Sequence, residues 1–126
     1  MNILFHAIDF KPRSGGIAEY THQIAHLLQL LGENVTVLSQ MMEGSKDFDS
    51  SSQYRVARYD FRRLWDKNRL SRRYFVLKKV MSAMNQEDTD ILVSNSFSGK
   101  THLDGIATKI MHTPHCVFTH GLDVST

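Results

Sequence analysis

The sequence predicts an α/β domain with an open, mostly parallel β-sheet and helices on both faces, an arrangement called Rossmann-like. Short apolar segments rich in β-branched residues alternate with longer segments of helical periodicity. This alternation is typical of parallel sheets whose strands are joined by helices. Right-handed connections then give the strand order 3-2-1-4-5. Two adjacent glycines follow the first strand, near the point where such sheets bind ligands.

The first half of the chain contains two predicted strands, one helix and a loop. A buried strand at 2–8 leads to a helix at 16–31, which ends at Gly32, and a second strand follows at 34–39. The polar, Ser- and Asp-rich residues 40–52 predict a surface loop. At about 100° per residue, one apolar stripe of the helix faces the sheet: Ile17, Tyr20, Ile24, Leu27, Leu28 and Leu31.

The second half continues the same alternation, and no internal repeat is visible. Strands are predicted at 53–59, 88–95 and 115–120, and helices at 61–85, with a break near Ser71, and at 99–111. The 126 residues, of which 41% are hydrophobic and 22% charged, fit one globular domain. The single cysteine excludes an intrachain disulfide. Without an apolar run of ~20 residues or a signal-like leader, we expect a cytoplasmic protein.

Three polar, glycine-containing segments follow strands 1, 4 and 5 of this arrangement. They read DFKPRSGG (9–16), SNSFSGK (94–100), which includes Asn95 and Ser96, and HGLD (120–123). The predicted strand order brings the carboxyl ends of these strands together at the point where the order reverses. We therefore expect the three segments to line one ligand crevice.

Gly15 and Gly16 stand immediately before the first predicted helix. Free backbone N–H groups and the positive end of the helix dipole make such a position an anion site. A tight strand-to-helix turn without a ligand is the other interpretation of the pair. The chain has neither G-x-G-x-x-G nor a complete P-loop, which argues against NAD-type and P-loop NTPase sites.

These residues resemble the N-terminal half of retaining GT-B glycosyltransferases of the family-4 type. That family has a loop of the form P-x-x-GG-[IV]-x-x-[YH] after its first strand, and a later strand that ends HG.D. The matching residues here are Pro12, Gly15, Gly16, Ile17 and Tyr20, then His120, Gly121 and Asp123. The two motifs have the order and spacing of the family.

The resemblance implies transfer of a sugar from a nucleotide-sugar donor to a glycan or lipid-linked acceptor, with retained anomeric configuration and no metal or cofactor. It assigns Gly15 and Gly16 to the donor diphosphate or the acceptor, and His120 to the reaction centre. Tyr20, Asn95, Ser96, Gly121 and Asp123 are further candidate substrate-binding residues. In the family a second Rossmann-like domain binds the nucleotide and supplies a glutamate pair. Residues 1–126 therefore correspond to a partial, acceptor-side N-terminal domain without that second domain, which we expect to be inactive alone.

The seven histidines do not form a convincing metal site. His22 and His26 are four residues apart, but the intervening residues lack the glutamate of a zinc-protease helix, and both lie opposite the apolar stripe, where we expect solvent. Cys116 and His120 would stand ~13 Å apart along a strand, too far to share a zinc ion. His6, inside strand 1, is expected to be a hydrogen-bonded core or crevice histidine.

Residues 55–79 hold ten basic and two acidic residues, interleaved with apolar side chains. The family resemblance suggests that a basic amphipathic helix at 61–79 contacts an anionic membrane surface. A helix that packs on the sheet with its charges in solvent is the alternative. Nucleic-acid binding is not expected, because no reading motif is present and the rest of the chain is net acidic.

Two functions of other classes stay open. Asp9 after strand 1 and Asp60 after strand 3 would suit a receiver-like phospho-acceptor domain, but Phe10 and His120 occupy the places where a second acid and a lysine are required. A transferase half can also serve as a non-catalytic module that binds a glycan or a partner protein.

Overall fold

The sheet contains five parallel strands in the predicted order. The computed structural model describes residues 1–62, 67–96 and 101–119. Within them the strands are β1 (Asn2–His6), β2 (Asn34–Gln40), β3 (Arg55–Tyr59), β4 (Ile91–Ser94) and β5 (His115–Val117). Every neighbouring pair is parallel, and the order is β3-β2-β1-β4-β5. The predicted fold class is therefore confirmed.

Helices cover both faces of the sheet. In the described part of the chain they are α1 (Gly16–Leu30), α2 (Ser45–Ser51), α3 (Arg69–Gln86) and α4 (Thr101–Met111). Because successive strand residues point to opposite faces, Phe5 of β1 joins the core with α1 and α2, whereas Leu4 joins the core with α3 and α4. Both side chains are fully buried. The central strand β1 is thus buried on two sides, as its apolar sequence predicts.

Small residues of α1 face the sheet, which differs from the predicted apolar stripe. The buried positions of the helix are Ala18, Thr21 and Ala25. Ile24 and Leu28 of the predicted stripe pack partly against the core, but Leu27 and Leu31 are 53% and 78% exposed. The stripe prediction was therefore wrong at Leu27 and Leu31, which lie on the side of the stripe away from the buried residues. Small side chains let the helix axis approach the sheet, and apolar periodicity does not report that preference.

The predicted loop at 40–52 contains a helix, α2, which the sequence reading missed. Gly44 adopts a left-handed conformation (φ 82°) immediately before it. The Phe48 ring meets the Phe10 ring edge-on at 5.7 Å between centroids. Asp49 pairs with Arg58 at 2.8 Å. The ring contact with Phe10 and the ion pair with Arg58 hold α2 in place, although the composition of residues 40–52 alone predicts a loop.

Helix α3 begins later than predicted and is continuous through Ser71. The Asn68 side-chain oxygen accepts a hydrogen bond from the Ser71 backbone N–H at 2.8 Å, so Asn68 caps the helix and Ser71 belongs to its first turn. A capping residue, rather than a break, explains the polar residues here. No helix among the described residues is both long enough and apolar enough to cross a bilayer.

Candidate functional site

The carboxyl ends of β1 and β4 lie side by side, with His6 in register with Ser94. The sheet order reverses between these strands, so a crevice between the β1–α1 loop (residues 7–15) and the residues after β4 is the candidate site. Asn95, directly after β4, is fully buried.

The Asn95 side chain fixes the start of the β1–α1 loop. Its amide oxygen accepts the Ile8 backbone N–H at 3.1 Å, and its amide nitrogen donates to the Asp9 carbonyl at 2.8 Å. The same nitrogen donates to the Thr21 hydroxyl of α1 at 3.2 Å. One buried carboxamide therefore joins β4, the loop and α1. The substrate-binding assignment of Asn95 stays a prediction, and these bonds give the residue a positioning role.

Arg58 of β3 fixes the middle of the same loop. Its side chain, 6% exposed, donates to the Lys11 carbonyl at 2.8 Å and to the Gln40 carbonyl at 3.0 Å. The guanidinium also pairs with Asp49 and lies over the Phe10 ring, 5.5 Å from its centroid. A planar fork of donors suits this combination of partners. The loop is consequently held from β3 as well as from β4.

Gly15 and Gly16 have different structural roles. Gly15, the N-cap of α1, has φ 150° and ψ 159°, a conformation that only glycine adopts without strain. Gly16 begins the helix, and a Cβ added there would meet no atom within 4 Å. Both residues are exposed. The backbone requires Gly15, whereas Gly16 leaves open space at the helix N-terminus where a ligand can approach the N–H groups.

Of the remaining predicted site residues, Tyr20 and Ser96 are described by the structure and the others are not. The Tyr20 ring is 49% exposed and meets the Phe118 ring edge-on at 5.7 Å. Ser96 is buried, and its carbonyl accepts the Thr101 hydroxyl at 2.8 Å. His120, Gly121 and Asp123, together with residues 97–100, fall outside the described residues, so their roles stay predictions.

A buried polar chain lies directly beneath the crevice, and sequence reasoning found only one of its members. Asp104 of α4 is fully buried; one carboxylate oxygen bonds His6 Nδ1 at 2.6 Å, and the other accepts the Ser94 hydroxyl at 2.6 Å. Ser94 Oγ also bonds His115 Nε2 at 2.8 Å, and His6 Nε2 bonds the Tyr59 hydroxyl at 3.1 Å. Burial, and then the charge of Asp104, raises the pKa of Tyr59.

His6 is therefore a hydrogen-bonded core histidine, as predicted. One feature of the sequence could have identified Asp104: it lies among the apolar residues of α4, between Leu103 and Ala107, which are both buried. An acidic residue on the core face of a helix requires hydrogen-bond partners. No group of three or more histidine, cysteine, aspartate or glutamate side chains in the described ranges could hold a metal ion.

His22, like His26, is half-buried rather than solvated, which corrects the expectation for both residues from the helix pattern. Its Nδ1 hydrogen-bonds the Tyr54 hydroxyl at 2.6 Å, and its ring meets the Phe48 ring edge-on at 5.4 Å. Helix α2, absent from the sequence reading, supplies Phe48. Burial lowers the pKa of His22, and nearby Lys11 and His26 add to that effect while Glu19 opposes it.

The strand order argues against the receiver-like alternative. Receiver domains are of the flavodoxin type, with order 2-1-3-4-5, which brings the ends of strands 1 and 3 together. Here β2 lies between β1 and β3. Asp9 and Asp60 therefore follow strands that are not neighbours, and Asp60 instead pairs with Arg62 at 3.5 Å.

Two surface cavities lie away from the glycine pair. One, of about 580 Å³, lies between α3 and α4 and is lined by Tyr74, Leu77, Lys78, Met81, Ser82, Asn85, Ile110 and Met111. The other, of about 560 Å³, lies beside the ends of β2 and β3 and is lined by Met41, Met42, Ser45, Lys46, Asp49, Val56, Arg58 and Arg62.

Comparison with known proteins shows the fold. No protein-family model and no curated protein sequence matches the chain. MurG from Acinetobacter baumannii, a GT-B glycosyltransferase, matches 94% of this chain with a TM-score of 0.71 and 14% identity. The chain spans 34% of that MurG chain. The C-terminal domain of the PF1911 hydrogenase from Pyrococcus furiosus matches 94% of this chain and 89% of its own, with a TM-score of 0.64 and 18% identity. The chain therefore has a GT-B-like, Rossmann-type fold.

Adding one methyl group should change the free energy of unfolding differently at Gly15 and at Gly16. Gly15→Ala forces an L-residue into a glycine conformation and lowers the free energy of unfolding by about 1–3 kcal/mol. Gly16→Ala adds a better helix former in open space and changes it by less than about 1 kcal/mol, in the stabilising direction. Urea unfolding followed by circular dichroism measures both, and equal losses would contradict the assignment.

The lowered pKa of His22 predicts a loss of stability in mild acid. In the folded state His22 binds a proton less readily than in the unfolded chain, where its pKa is about 6.5. Its contribution is therefore complete above that value and is lost as the pH falls below it. His22→Gln keeps a polar group for Tyr54 but does not titrate, so its unfolding midpoint in urea falls less between pH 7.5 and 5.5 than that of the wild type. His102→Gln, which replaces an exposed histidine, is the control, and its midpoint should fall as much as that of the wild type. A fall in His22→Gln equal to that of the wild type would refute the prediction.

Proposed function

We propose that this chain is the N-terminal, acceptor-side part of a GT-B glycosyltransferase that moves a sugar from a nucleotide-sugar donor to a glycan or lipid-linked acceptor. The observation that carries the proposal is the exposed N-terminus of α1 at Gly16, which follows a loop whose residues 8, 9 and 11 are held by Asn95 and Arg58. The GT-B-like fold and the motif resemblance support it. We further propose the retaining, metal-independent mechanism of the family-4 type.

The β1–α1 loop suits a leaving diphosphate. As the bond from the sugar to the diphosphate breaks, negative charge grows on the phosphate oxygen. N–H donors that are already oriented stabilise this charge most in the transition state. The bonds from Asn95 and Arg58 hold the loop before any ligand arrives. His120, which the resemblance assigns to the reaction centre, would face the transferring sugar.

A lipid-linked acceptor would bring the domain to a membrane surface, and α3 supports this part of the proposal. No acidic residue occurs in α3, which carries five lysine and arginine residues. Leu70 and Tyr74 of α3 are 79% and 65% exposed, and Ile110 of α4 is 53% exposed beside the groove between the helices. Basic and apolar groups on one surface favour peripheral contact with anionic lipid. We propose that residues 61–79 make this contact from the cytoplasmic side.

The alternative of a non-catalytic binding module makes a different prediction. A fold alone does not determine a function, and a hydrogenase domain has a similar fold. A module of this kind would bind a glycan or a partner protein without a nucleotide, whereas the transferase requires one.

Substitution at Gly16 tests the proposed function. In the full-length protein, Gly16→Val fills the open space at the helix N-terminus and should lower the release of nucleoside diphosphate from UDP- or GDP-sugars by about 100-fold, the effect expected for a displaced reacting group. His120→Ala should also abolish transfer. Circular dichroism should show that both variants fold.

Gly105→Val is the matched control, because a Cβ at Gly105 also meets no neighbour but lies on α4, away from the glycine pair. It should retain wild-type turnover. Normal turnover in both Gly16→Val and His120→Ala would contradict the proposal. Glycan binding that requires no nucleotide would favour the binding module.

A further inference from the structure

The buried polar chain beneath the crevice connects the centre of the sheet to its edge. Asp104 receives bonds from His6 of β1 and from Ser94 of β4, and Ser94 in turn bonds His115 of β5. Ser94 and Asp104 are fully buried, and His115 is half-buried. A carboxylate only accepts hydrogen bonds. The Ser94 hydroxyl proton therefore points to Asp104, and His115 Nε2 must donate to Ser94 Oγ.

Strand β5 has a strand neighbour on one side only in the described part of the sheet. It contains three residues, all of them half-buried, and lies beside β4 at the edge of the described sheet. Backbone bonds tie it to β4 at each end, from the Leu92 N–H to the Pro114 carbonyl and from the Phe118 N–H to the Ser94 carbonyl. The bond from His115 to Ser94 adds a side-chain tie between the same strands.

The position of β5 matters to the crevice. Phe118, directly after β5, packs its ring against Tyr20 of α1 and against Phe5 of β1. Tyr20 is a predicted substrate-binding residue, and His120 follows β5 three residues later in the sequence. A shift of β5 therefore moves Phe118 and its contact with Tyr20, whereas Asn95 and Arg58 hold Asp9 and Lys11 of the β1–α1 loop through bonds that do not involve β5.

We propose that Ser94 and His115, oriented by the buried carboxylate of Asp104, are positioning residues of the transferase site. They hold β5, and with it Phe118, in register with β4. This inference rests on the proposed function. We expect an effect on kcat rather than on KM, because the β1–α1 loop is held by Asn95 and Arg58 through bonds that do not involve β5.

Substitution of His115 in the full-length protein tests the proposal. His115→Leu removes the donor to Ser94, and His115→Gln restores an N–H that can reach it. In His115→Leu the amide hydrogen of Phe118, which bonds the Ser94 carbonyl, should exchange at least tenfold faster, while that of Val37 in β2 should not change. The kcat for release of nucleoside diphosphate from a UDP- or GDP-sugar should fall about tenfold with an unchanged KM. His115→Gln should restore both quantities towards wild type.

Ser94→Ala is the second variant, because it removes the hydroxyl that links His115 to Asp104 but leaves the bond from His6 to Asp104 intact. It should reproduce the effects of His115→Leu. Unchanged exchange at β5, equally faster exchange at Val37, or a rise in KM without a fall in kcat would overturn the proposal. If the wild type releases no nucleoside diphosphate from any donor, the proposed function fails, and exchange at Phe118 alone then decides whether Ser94 and His115 position β5.

Discussion

The carboxamide of Asn95 is the constraint on which the geometry of the crevice depends. It lies directly after β4, is fully buried, and bonds the Ile8 N–H, the Asp9 carbonyl and the Thr21 hydroxyl. A buried amide that loses such partners costs about 1–3 kcal/mol for each unsatisfied group. The arrangement thus couples two strand ends and the first helix in one geometry. Arg58, reaching the Lys11 carbonyl from β3, completes the support of the β1–α1 loop.

Much of the fold could be predicted because its signals are local. Apolar runs, helical periodicity and the stop at Gly32 gave the strands and α1, and connection rules gave the order confirmed here. The contacts that escaped prediction join residues that are not neighbours in sequence. Helix α2 depends on Phe10 and Arg58, and Asp104 is buried beside Ser94 and beside His6, 98 residues away. The predicted crevice stays a prediction, because its segments after β4 and β5 lie largely outside the described residues, and the bonds that hold its first segment were not predicted.

The same fold occurs in a glycosyltransferase and in a hydrogenase domain, so function depends on the site and not on the fold. The backbone conformation of Gly15 requires glycine, whereas that of Gly16 does not, and a side chain at Gly16 would meet no neighbour. The turn therefore explains Gly15, and the role of Gly16 in binding a ligand is the part that we propose. Beneath them, the bonds from Asp104 to His6 and Ser94 hold the strand ends that carry the crevice.

Nuclear magnetic resonance titration of the ¹⁵N-labelled full-length protein with UDP- and GDP-sugars would show whether the functional site lies between the β1–α1 loop and the end of β4. If it does, one donor should shift the amide signals of Gly15, Gly16 and Ile17, with smaller changes at Asn95. Shifts confined to the groove between α3 and α4, around Tyr74, or no shift at the glycine pair at saturating donor, would contradict it.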